Sequence, residues 1–429
     1  MNVKRYETVI VGSGTGGATL ARELSKRGKQ VLVIERGKPE TKIGTFQDSL
    51  RYFDATRITR MPRRSKEGVI LWRTFMAGGS SVVSAGNATR CLEKGLTELG
   101  ITLADEFVEA EQEMVITPVA PELRSEGSER IMWASKELGY MMEPMPKFVD
   151  PAKCTRCAKC VFGCKHDAKW TALNYLREAE QHGTNVLYET TVHQVIRQNG
   201  TVQGVSCTGP QGRTDILADV VVLAAGGLGT PVILQQAGIK EAGKRLFADL
   251  FVNTYGVTQG ASLAHEPTMS LVDHEFHRDR GFILSPFASY HKMVRFMEAG
   301  IKGSALPSRG LLGIMAKTAD DPAGRVYPDG TVSKPVTEAD WIRLREGSEK
   351  AREILVKAGA AENSIVVSTP QGAHFGGTAA IGTVVDSDLQ TDVDGLFVCD
   401  ASVLPTAPGL PPILTIVALA KRLAKILAA

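Results

Sequence analysis

Residues 6–37 read YETVIVGSGTGGATLARELSKRGKQVLVIERG, and this stretch decides the fold. Residues 8–11 form a short β-branched run, residues 18–27 contain good helix formers, and residues 31–34 form a second apolar run. A strand, a glycine turn, a helix and a strand in this order predict the first unit of a doubly wound parallel sheet.

The glycines of the turn have the spacing G-x-G-x-x-G, with Gly12, Gly14 and Gly17 at the three positions. The first permits a tight turn, the second lets the backbone approach a pyrophosphate, and the third lets the helix pack closely on the strand. Glu35 ends the second strand, where a carboxylate accepts hydrogen bonds from a ribose. A glycine-rich turn that binds nothing is the alternative, but the complete pattern favours dinucleotide binding. The predicted cofactor site also includes Thr15 and Arg36.

Length and composition limit the classes of protein to consider. A chain of 429 residues suggests two or three domains, and 43% apolar with 23% charged residues is typical of a globular protein. A formal charge of +3 gives no reason to expect nucleic acid or an anionic membrane as a partner. Residues 1–5 lack the apolar core of a signal peptide, so we expect a cytoplasmic protein. No transmembrane segment is predicted, because charged residues interrupt the most apolar stretch, residues 413–429.

Two further glycine-rich stretches are expected beside the cofactor. Residues 76–90, MAGGSSVVSAGNATR, are dense in small residues, as is typical of a backbone that closely approaches a ligand. A flexible linker is the alternative for this stretch. Residues 220–231, VVVLAAGGLGTP, are a buried-type strand that runs into a glycine turn, and an ordinary strand-to-helix turn is the alternative there.

Four cysteines lie in residues 154–164, CTRCAKCVFGC, at Cys154, Cys157, Cys160 and Cys164. Structural disulfides are not expected in a reducing cytosol. The spacing C-x2-C-x2-C-x3-C matches the run that holds iron-sulfur clusters in bacterial ferredoxins. We therefore predict an iron-sulfur cluster, 4Fe-4S or alternatively 3Fe-4S, bound by these residues.

Other interpretations of the cysteine segment stay open. Lys165 follows Cys164 where ferredoxins have proline, so a single cysteine elsewhere could supply the fourth ligand instead. Structural zinc usually uses two C-x2-C pairs with a longer spacer, which is absent here. A metal-free redox or surface loop is the third possibility. The single cysteines are Cys91, Cys207 and Cys399.

Residues 245–334 differ in composition from the rest of the chain. They hold four of the eight histidines, many of the aromatic residues and several methionines. Strand-like runs with aromatic residues are expected to form a sheet that covers a cofactor and walls a substrate cavity. Residues 337–358 are predicted to form an amphipathic helix.

The C-terminal motifs complete a family resemblance. Residues 372–382, GAHFGGTAAIG, and residues 384–424, together with the two glycine loops, resemble the glucose/methanol/choline (GMC) family of FAD-dependent oxidoreductases. The resemblance implies that His374 is the catalytic histidine and that Glu35 holds the adenosine ribose. Other residues implied to contact the cofactor are Gly78, Gly79, Ser80, Asn87, Val192, Ala225, Gly226, Asp400, Pro411 and Pro412. The cysteine run is similar to those of some long-chain alcohol oxidases and of certain bacterial sugar dehydrogenases, the latter with an iron-sulfur cluster.

The expected fold class is α/β, with a Rossmann-like FAD-binding domain and a smaller α+β substrate domain built on an antiparallel sheet. The FAD-binding domain is expected in three parts, residues 1–120, 171–240 and 346–429, the last with the active-site histidine. Residues 121–170 form an insertion with the cysteine motif, and residues 241–345 form the substrate or cap domain. FAD is expected to be non-covalent, because covalent relatives attach it through a histidine near the second glycine loop and residues 1–151 contain none.

Two departures from the family pattern concern the active site. The family has a second catalytic asparagine or histidine in a G-x-N-P context, and here GLPP places Pro411 there, without a side-chain donor or a backbone N–H. The chain is also shorter than most relatives, so the site is expected to be more open or to be completed by a partner subunit.

The expected function is that of a dehydrogenase for a small or hydrophobic alcohol. Hydride passes from a CH–OH group to the flavin, and His374 accepts the hydroxyl proton. Electrons then leave through the cluster to a redox protein, a partner subunit or a quinone. Basic residues around the cysteines favour an acidic acceptor, and a solvated surface is the alternative explanation for them. Two alternatives remain, a reductase of an activated C=C or C=O and an electron-transfer subunit without its own substrate.

Overall fold

The computed structural model describes residues 5–429, and its two main sheets confirm the predicted fold class. The strands are β1 Arg5–Val11, β2 Val31–Ile34, β3 Ile70–Leu71, β4 Thr117–Pro118, β5 Met142–Pro144, β6 Pro146–Lys147, β7 Asn185–Leu187, β8 Thr191–Gln198, β9 Thr201–Gly209, β10 Gly212–Leu223, β11 Phe251–Val257, β12 Leu271–Asp273, β13 Phe282–Pro286, β14 Leu311–Thr318, β15 Arg325–Val326, β16 Val332–Ser333, β17 Val366–Val367, β18 Gln371–Gly372 and β19 Leu396–Val398.

The helices follow the same order along the chain. They are α1 Thr15–Lys26, α2 Phe46–Ser49, α3 Glu93–Glu98, α4 Ala104–Glu113, α5 Glu126–Glu137, α6 Ala172–Gln181, α7 Thr230–Gln236, α8 Glu275–Arg280, α9 Lys292–Ala305, α10 Glu338–Lys357 and α11 Ile413–Ala428. Short 3₁₀ helices cover Gly79–Val83, Pro121–Leu123, Cys160–Phe162, Glu362–Ser364 and Ala401–Val403. No helix within residues 5–429 is long and apolar enough to cross a membrane.

The first sheet has the order β7-β2-β1-β10-β9-β8, with β19 also paired to β10. Strands β7, β2, β1 and β19 run parallel to their neighbours, and β10 pairs antiparallel with β9 through its first half. Val9 is fully buried between Leu32 and Val221 on the two neighbouring strands. Such near-continuous apolar strands are expected where helices cover both faces of a parallel sheet.

The second sheet has the order β3-β18-β11-β14-β13-β12-β5 and is antiparallel except between β3 and β18. Alternate residues of β14 face opposite sides, as in any strand. Ile314 and Ala316 pack with Leu344 and Ile354 of α10 in one apolar core, whereas Met315 lies in a separate cluster on the opposite face. The second sheet therefore has one face for structural packing and one that is available to a ligand.

Predicted elements and observed ones differ mainly in residues 245–334. This region contains the second sheet as expected, but α8 and α9 form where sequence reasoning predicted strand-like runs. Helix α9 places Val294 and Met297 three residues apart on its buried side, a helical spacing. Non-helical backbone angles at Ala299 and Gly300 kink this helix, which weakens its periodicity in the sequence. The division into five domain segments remains a proposal.

Candidate active site

A large cavity, about 870 Å³ in volume, lies between the two sheets. It reaches the carboxyl ends of the parallel strands, where α/β proteins bind ligands. The sequence-predicted cofactor and catalytic residues that line it are Gly12, Gly14, Thr15, Glu35, Arg36, Gly79, Ser80, Asn87, Val192, Ala225, Gly226, His374, Asp400, Pro411 and Pro412. Gly17 and Gly78 do not line it. Gly17 packs against Gly12 and Ala224, which do line it, whereas Gly78 packs against Leu173 and Val82, which do not.

The glycine turn after β1 has the geometry that an anionic ligand requires. Gly12 has a φ of +106°, and a Cβ atom there would lie 2.3 Å from the Ala224 carbonyl oxygen. Gly14 caps α1 with no side-chain hydrogen bond, and a Cβ on Gly14 would meet nothing within 4 Å. The N-terminus of α1 is thus open to the cavity and carries no acidic residue in its first turn. This uncapped N-terminus fits the pyrophosphate of FAD.

Glu35 stands at the end of β2 and is held by backbone and side-chain donors. Its Oε2 accepts from the Ser13 N–H at 2.9 Å and from the Ser13 hydroxyl at 2.7 Å. Its Oε1 accepts from the Gly37 N–H at 2.7 Å. A carboxylate oxygen has two lone pairs, so acceptor capacity remains for a ribose hydroxyl.

Asp400, after β19, joins the third glycine loop to the cavity. Its side chain accepts hydrogen bonds from the Gly226 N–H at 2.8 Å, from the Thr230 hydroxyl and from the Ser402 N–H at 2.8 Å. Burial raises the pKa of Asp400 above its ordinary value, although these donors lower it. The carboxyl group therefore fixes the loop that borders the central part of the cavity.

The second glycine loop is anchored from both ends. The Gly78 N–H donates to the Ser13 hydroxyl at 3.1 Å, which ties this loop to the first glycine turn. At the other end the side-chain oxygen of Asn87 accepts from the fully buried Lys147 ammonium, and its Nδ2 donates to Met269 Sδ at 3.4 Å. Both contacts hold the loop against the cavity, where the resemblance implies that the flavin lies.

His374 lines the cavity where it borders the second sheet, and it is coupled to two buried charges. Its Nδ1 is 3.1 Å from Asp249 Oδ2 and 3.5 Å from Lys317 Nζ. Asp249 has 0% of its side chain exposed, and its Oδ1 accepts from the Gly409 N–H at 3.0 Å. The shorter contact to the carboxylate favours a proton on Nδ1, which leaves Nε2 as an acceptor.

Lys317 and Asp249 adjust the protonation of His374 in opposite directions. Burial lowers the pKa of His374, the Lys317 charge lowers it further, and the Asp249 carboxylate raises it. Burial also lowers the pKa of Lys317 to about 8, with Asp249 opposing the change. At neutral pH the imidazole is therefore neutral, the state in which it accepts a proton.

The loop before α11 supplies structure rather than a second acid or base. Pro411 lines the cavity and offers no donor, as the sequence predicted. Two residues earlier, the Gly409 N–H binds Asp249. The loop thus contributes to the site by holding the carboxylate that positions His374.

Sequence reasoning missed Asp249 and Lys317. Asp249 is a single acid in a segment without a motif, and its φ of +46° lies in the left-handed region. Lys317 lies in β14, whose eight residues are all buried. A lysine within an apolar buried strand was the available signal, because an unpaired ammonium there would be costly.

The cysteine segment borders the cavity only through Val161 and Phe162. Within residues 5–429 no three His, Cys, Asp or Glu side chains are grouped as a metal site, so the prediction of a cluster is not confirmed. The single cysteines are buried elsewhere, Cys91 against Thr415 and Cys399 against α1. The cysteine segment alone would therefore supply all the ligands.

Two further properties of the segment concern charge and backbone. Arg156 and Ala158 have φ values of +57° and +55°, although neither is glycine. The fully buried Lys169 donates to the carbonyl oxygens of Cys160 and Val82, and so links the cysteine segment to the second glycine loop. Burial lowers the pKa of Lys169 to about 8, and the neighbouring thiols oppose this.

Comparison with known proteins adds family information to this geometry. The N-terminal profile of the GMC oxidoreductase family matches residues 6–251, and its C-terminal profile matches residues 317–420. An uncharacterised protein of Methanocaldococcus jannaschii is 32% identical over 422 residues, which cover 97% of this chain and 98% of that protein. A long-chain-alcohol oxidase of Arabidopsis thaliana is 24% identical over 518 residues, which cover 97% of this chain and 67% of the relative.

Solved structures of two oxidases have the same fold. Pyridoxine 4-oxidase from Mesorbium loti superposes with a TM-score of 0.75 at 17% identity, covering 98% of this chain and 99% of that one. Formate oxidase superposes with a TM-score of 0.75 at 16% identity, covering 100% of this chain and 98% of that one. At such identities the likeness establishes the fold alone.

Proposed function

Because the chain belongs to the GMC oxidoreductase family and is thus an FAD-dependent oxidoreductase, we propose that it oxidises the CH–OH group of a small or hydrophobic alcohol. The main support for the proposal is the position of His374. Its neutral imidazole is hydrogen-bonded to Asp249 and lines the cofactor cavity beside the second sheet. Relatives named as long-chain-alcohol oxidases support an alcohol as the substrate. The cofactor-binding residues predicted from the sequence are proposed to hold FAD, with Gly17 and Gly78 next to residues that line the cavity rather than in its wall.

The residues of this chain have separate tasks in the reaction. His374 Nε2 accepts the hydroxyl proton of the alcohol. FAD, when bound, would supply the acceptor for the hydride on the carbon that bears this hydroxyl. The alcohol thus loses two electrons and two hydrogens to give an aldehyde or ketone. Asp249 stabilises the imidazolium that forms, since its carboxylate lies 3.1 Å from Nδ1. Lys317 limits the basicity of His374, because its charge lies 3.5 Å from the same nitrogen.

Anaerobic reduction of bound FAD by a panel of alcohols tests the proposal. We expect primary alcohols to bleach the flavin absorbance, and His374→Ala to slow this by about a hundredfold or more while FAD stays bound. His193→Ala is the matched control, because His193 also lines the cavity but on the first sheet. If alcohols fail to reduce the flavin but the reduced enzyme transfers electrons to compounds with an activated C=C or C=O, the protein is a reductase instead. If neither reaction occurs, an electron-transfer subunit without its own substrate is the remaining alternative.

We further propose that the cysteine segment binds an iron-sulfur cluster through Cys154, Cys157, Cys160 and Cys164. Burial raises the pKa of Cys154, and the other three thiols add to this rise, so all four lie close enough to interact. The left-handed residues between them are typical of backbone nests, whose N–H groups surround anionic centres. Their thiol groups need to reorient for ligation, since they are not grouped as a metal site within residues 5–429.

Charge around the segment supports an anionic occupant. Lys169 and Lys147 are fully buried, and their ammonium groups bind backbone carbonyls or the Asn87 amide rather than carboxylates. Buried ammonium groups without an anion are costly, and a cluster with thiolate ligands would supply the missing negative charge. A cluster, when bound, would supply one-electron chemistry, which suits a dehydrogenase whose acceptor is a redox protein, a partner subunit or a quinone. We also propose a cytoplasmic location for this protein.

Iron and sulfide analysis of an anaerobic preparation tests this second proposal. We expect about four irons and four sulfides per chain, or about three irons and four sulfides for the smaller cluster. Cys157→Ser should abolish the cluster absorbance and transfer to the acceptor while alcohols still reduce the flavin. Cys207→Ser, in β9, is the matched control. Zinc in place of iron, or stoichiometric hydrogen peroxide as the normal product, would show that the proposal is wrong.

A further inference from the structure

The cavity continues past His374 to a second polar end. Glu298 of α9 and Ser289 both line it there, and Glu298 is buried with 3% of its surface exposed. The part of the wall between the two polar ends is apolar. It includes Phe251, Met269, Phe287 and Met315, which form one cluster.

Glu298 is a buried carboxyl group that forms no salt bridge with Arg295, the neighbouring cation. Its Oε2 accepts from the Tyr255 hydroxyl, and burial raises the pKa of Glu298 to about 7. The fully buried Arg295 lies near enough to lower that pKa, but its guanidinium donates to the backbone carbonyls of Ser289, Gly303 and Leu306. The Asn253 and Ser289 side chains also lower this pKa, but only the Tyr255 hydroxyl makes a hydrogen bond of ordinary geometry to the carboxyl group. Oε1 of Glu298 therefore keeps hydrogen-bonding capacity in a residue that lines the cavity.

The side-chain amide of Asn253 lies beside Glu298 and is unsatisfied. It is 0% exposed, and neither Oδ1 nor Nδ2 has a hydrogen-bond partner of ordinary geometry within the described chain. Leaving a buried amide unpaired costs roughly 1–3 kcal/mol, so such groups call for an explanation. A ligand that hydrogen-bonds to Glu298 could hold its carboxyl group in place as a hydrogen-bond partner for the Asn253 amide.

The strand register sets the separation between the two polar ends. On β11 and β14, Phe251 pairs with Lys317, next to His374, whereas Asn253 pairs with Met315, next to Glu298. The pair next to His374 and the pair next to Glu298 are therefore two residues, or about 7 Å, apart along the strands.

We propose that the Glu298 end binds a second hydroxyl group, so that preferred substrates carry hydroxyls at both ends of an elongated apolar body. This inference rests on the proposed alcohol oxidation and names its substrate class. A neutral hydroxyl both donates and accepts, which suits a carboxyl group that titrates near neutrality. The buried charge of Arg295 disfavours an ammonium group, and Glu298 itself disfavours a carboxylate.

The test compares 1,ω-alkanediols with 1-alkanols of equal length on the oxidised holoenzyme. Dissociation constants are measured on the His374→Ala holoenzyme, in which the slow reduction leaves time to record the change that each compound causes in the visible spectrum of bound FAD before the flavin is bleached. We expect diols of one matching length to bind about tenfold or more tightly than the corresponding alkanols, as for a gained buried hydrogen bond. Shorter and longer diols should lose this preference.

Variants of Glu298 show whether the preference for diols depends on this carboxyl group. Glu298→Leu should reverse the preference in favour of alkanols, Glu298→Gln should retain part of it, and the exposed Glu98→Gln is the control. A diol preference that survives Glu298→Leu, or that is absent at every length while Glu298 is present, overturns the inference. If Glu298→Leu fails to fold, Glu298→Gln and the length dependence decide. Failure of every alcohol to reduce the flavin would refute the proposed function instead, while the binding comparison would still decide the second site.

Discussion

His374 Nδ1 lies 3.1 Å from Asp249 Oδ2, although the two residues are 125 positions apart in the chain. The backbone N–H of Gly409 binds the other oxygen of the same carboxylate at 3.0 Å. Each oxygen of Asp249 therefore has a defined donor, and the imidazole orientation is fixed from behind. This arrangement leads to the first prediction.

Asp249→Asn should slow flavin reduction by alcohols about a hundredfold or more with FAD content unchanged. The amide oxygen of the variant is needed to accept from Gly409, so its NH₂ group faces His374 Nδ1 and moves the ring proton to Nε2. The base is then in the wrong tautomer. Stopped-flow absorbance measures the effect, with the exposed Asp388→Asn as the control. A reduction rate like that of the wild type would assign the positioning of His374 to another group.

Lys317→Met should move the acidic limb of the pH–rate profile to higher pH. His374 acts as a base only when neutral, so the rate falls as pH drops through its pKa, which burial and Lys317 hold below about 6.5. Removing the lysine charge raises that pKa, and the loss of rate then begins at a higher pH. The profile is measured by flavin reduction between about pH 4.5 and 8. Exposed Lys94→Met should leave the limb in place, and an unshifted limb in Lys317→Met would contradict the assignment.

FAD should leave the protein on acid precipitation and appear in the supernatant. The second glycine loop, residues 76–90, contains no His, Cys or Tyr that could form a covalent bond to the flavin, and residues 1–151 contain no histidine. Absorbance of the supernatant and of the redissolved pellet measures the distribution. Yellow colour that stays with the pellet would show that another residue of the cavity is attached to the cofactor.

Gly16→Ala should destabilise the protein by roughly 1–3 kcal/mol or more, the usual range for overpacking. A Cβ atom at Gly16 would lie 1.8 Å from the Cys399 carbonyl oxygen, so α1 would need to move away from the first sheet. Gly95→Ala in α3 is the matched control, because a Cβ there meets nothing within 4 Å. Chemical denaturation of both variants measures the difference, and equal stability would contradict the close helix–strand contact.

Sequence patterns predict the local parts of this structure well. Observed β2 covers the predicted residues 31–34, and α10 covers most of the predicted residues 337–358. Both elements have a periodicity that depends only on residues close in sequence. His374 was assigned through family motifs rather than through its surroundings, and its catalytic role remains a prediction.

The partners of His374 could not be predicted because they are defined by long-range contacts. Asp249 precedes β11 and Lys317 lies in β14, and the pairing of these strands brings the two residues together. No short-range spacing records that pairing. The kinked helix α9 was missed for a related reason, since its polar face and its cavity face are decided by tertiary contacts rather than by a clean repeat.

The alternation along β14 has a consequence for how this enzyme could diversify. Leu312, Ile314 and Ala316 are committed to the core beneath α10, while Met315 and Lys317 face the cavity. Substitutions at Met315 therefore alter the space offered to a substrate without removing contacts from the helix-covered core. Substitutions on the cavity face of β14 could therefore change which substrates are accepted, while the residues on its core face stay constrained by folding.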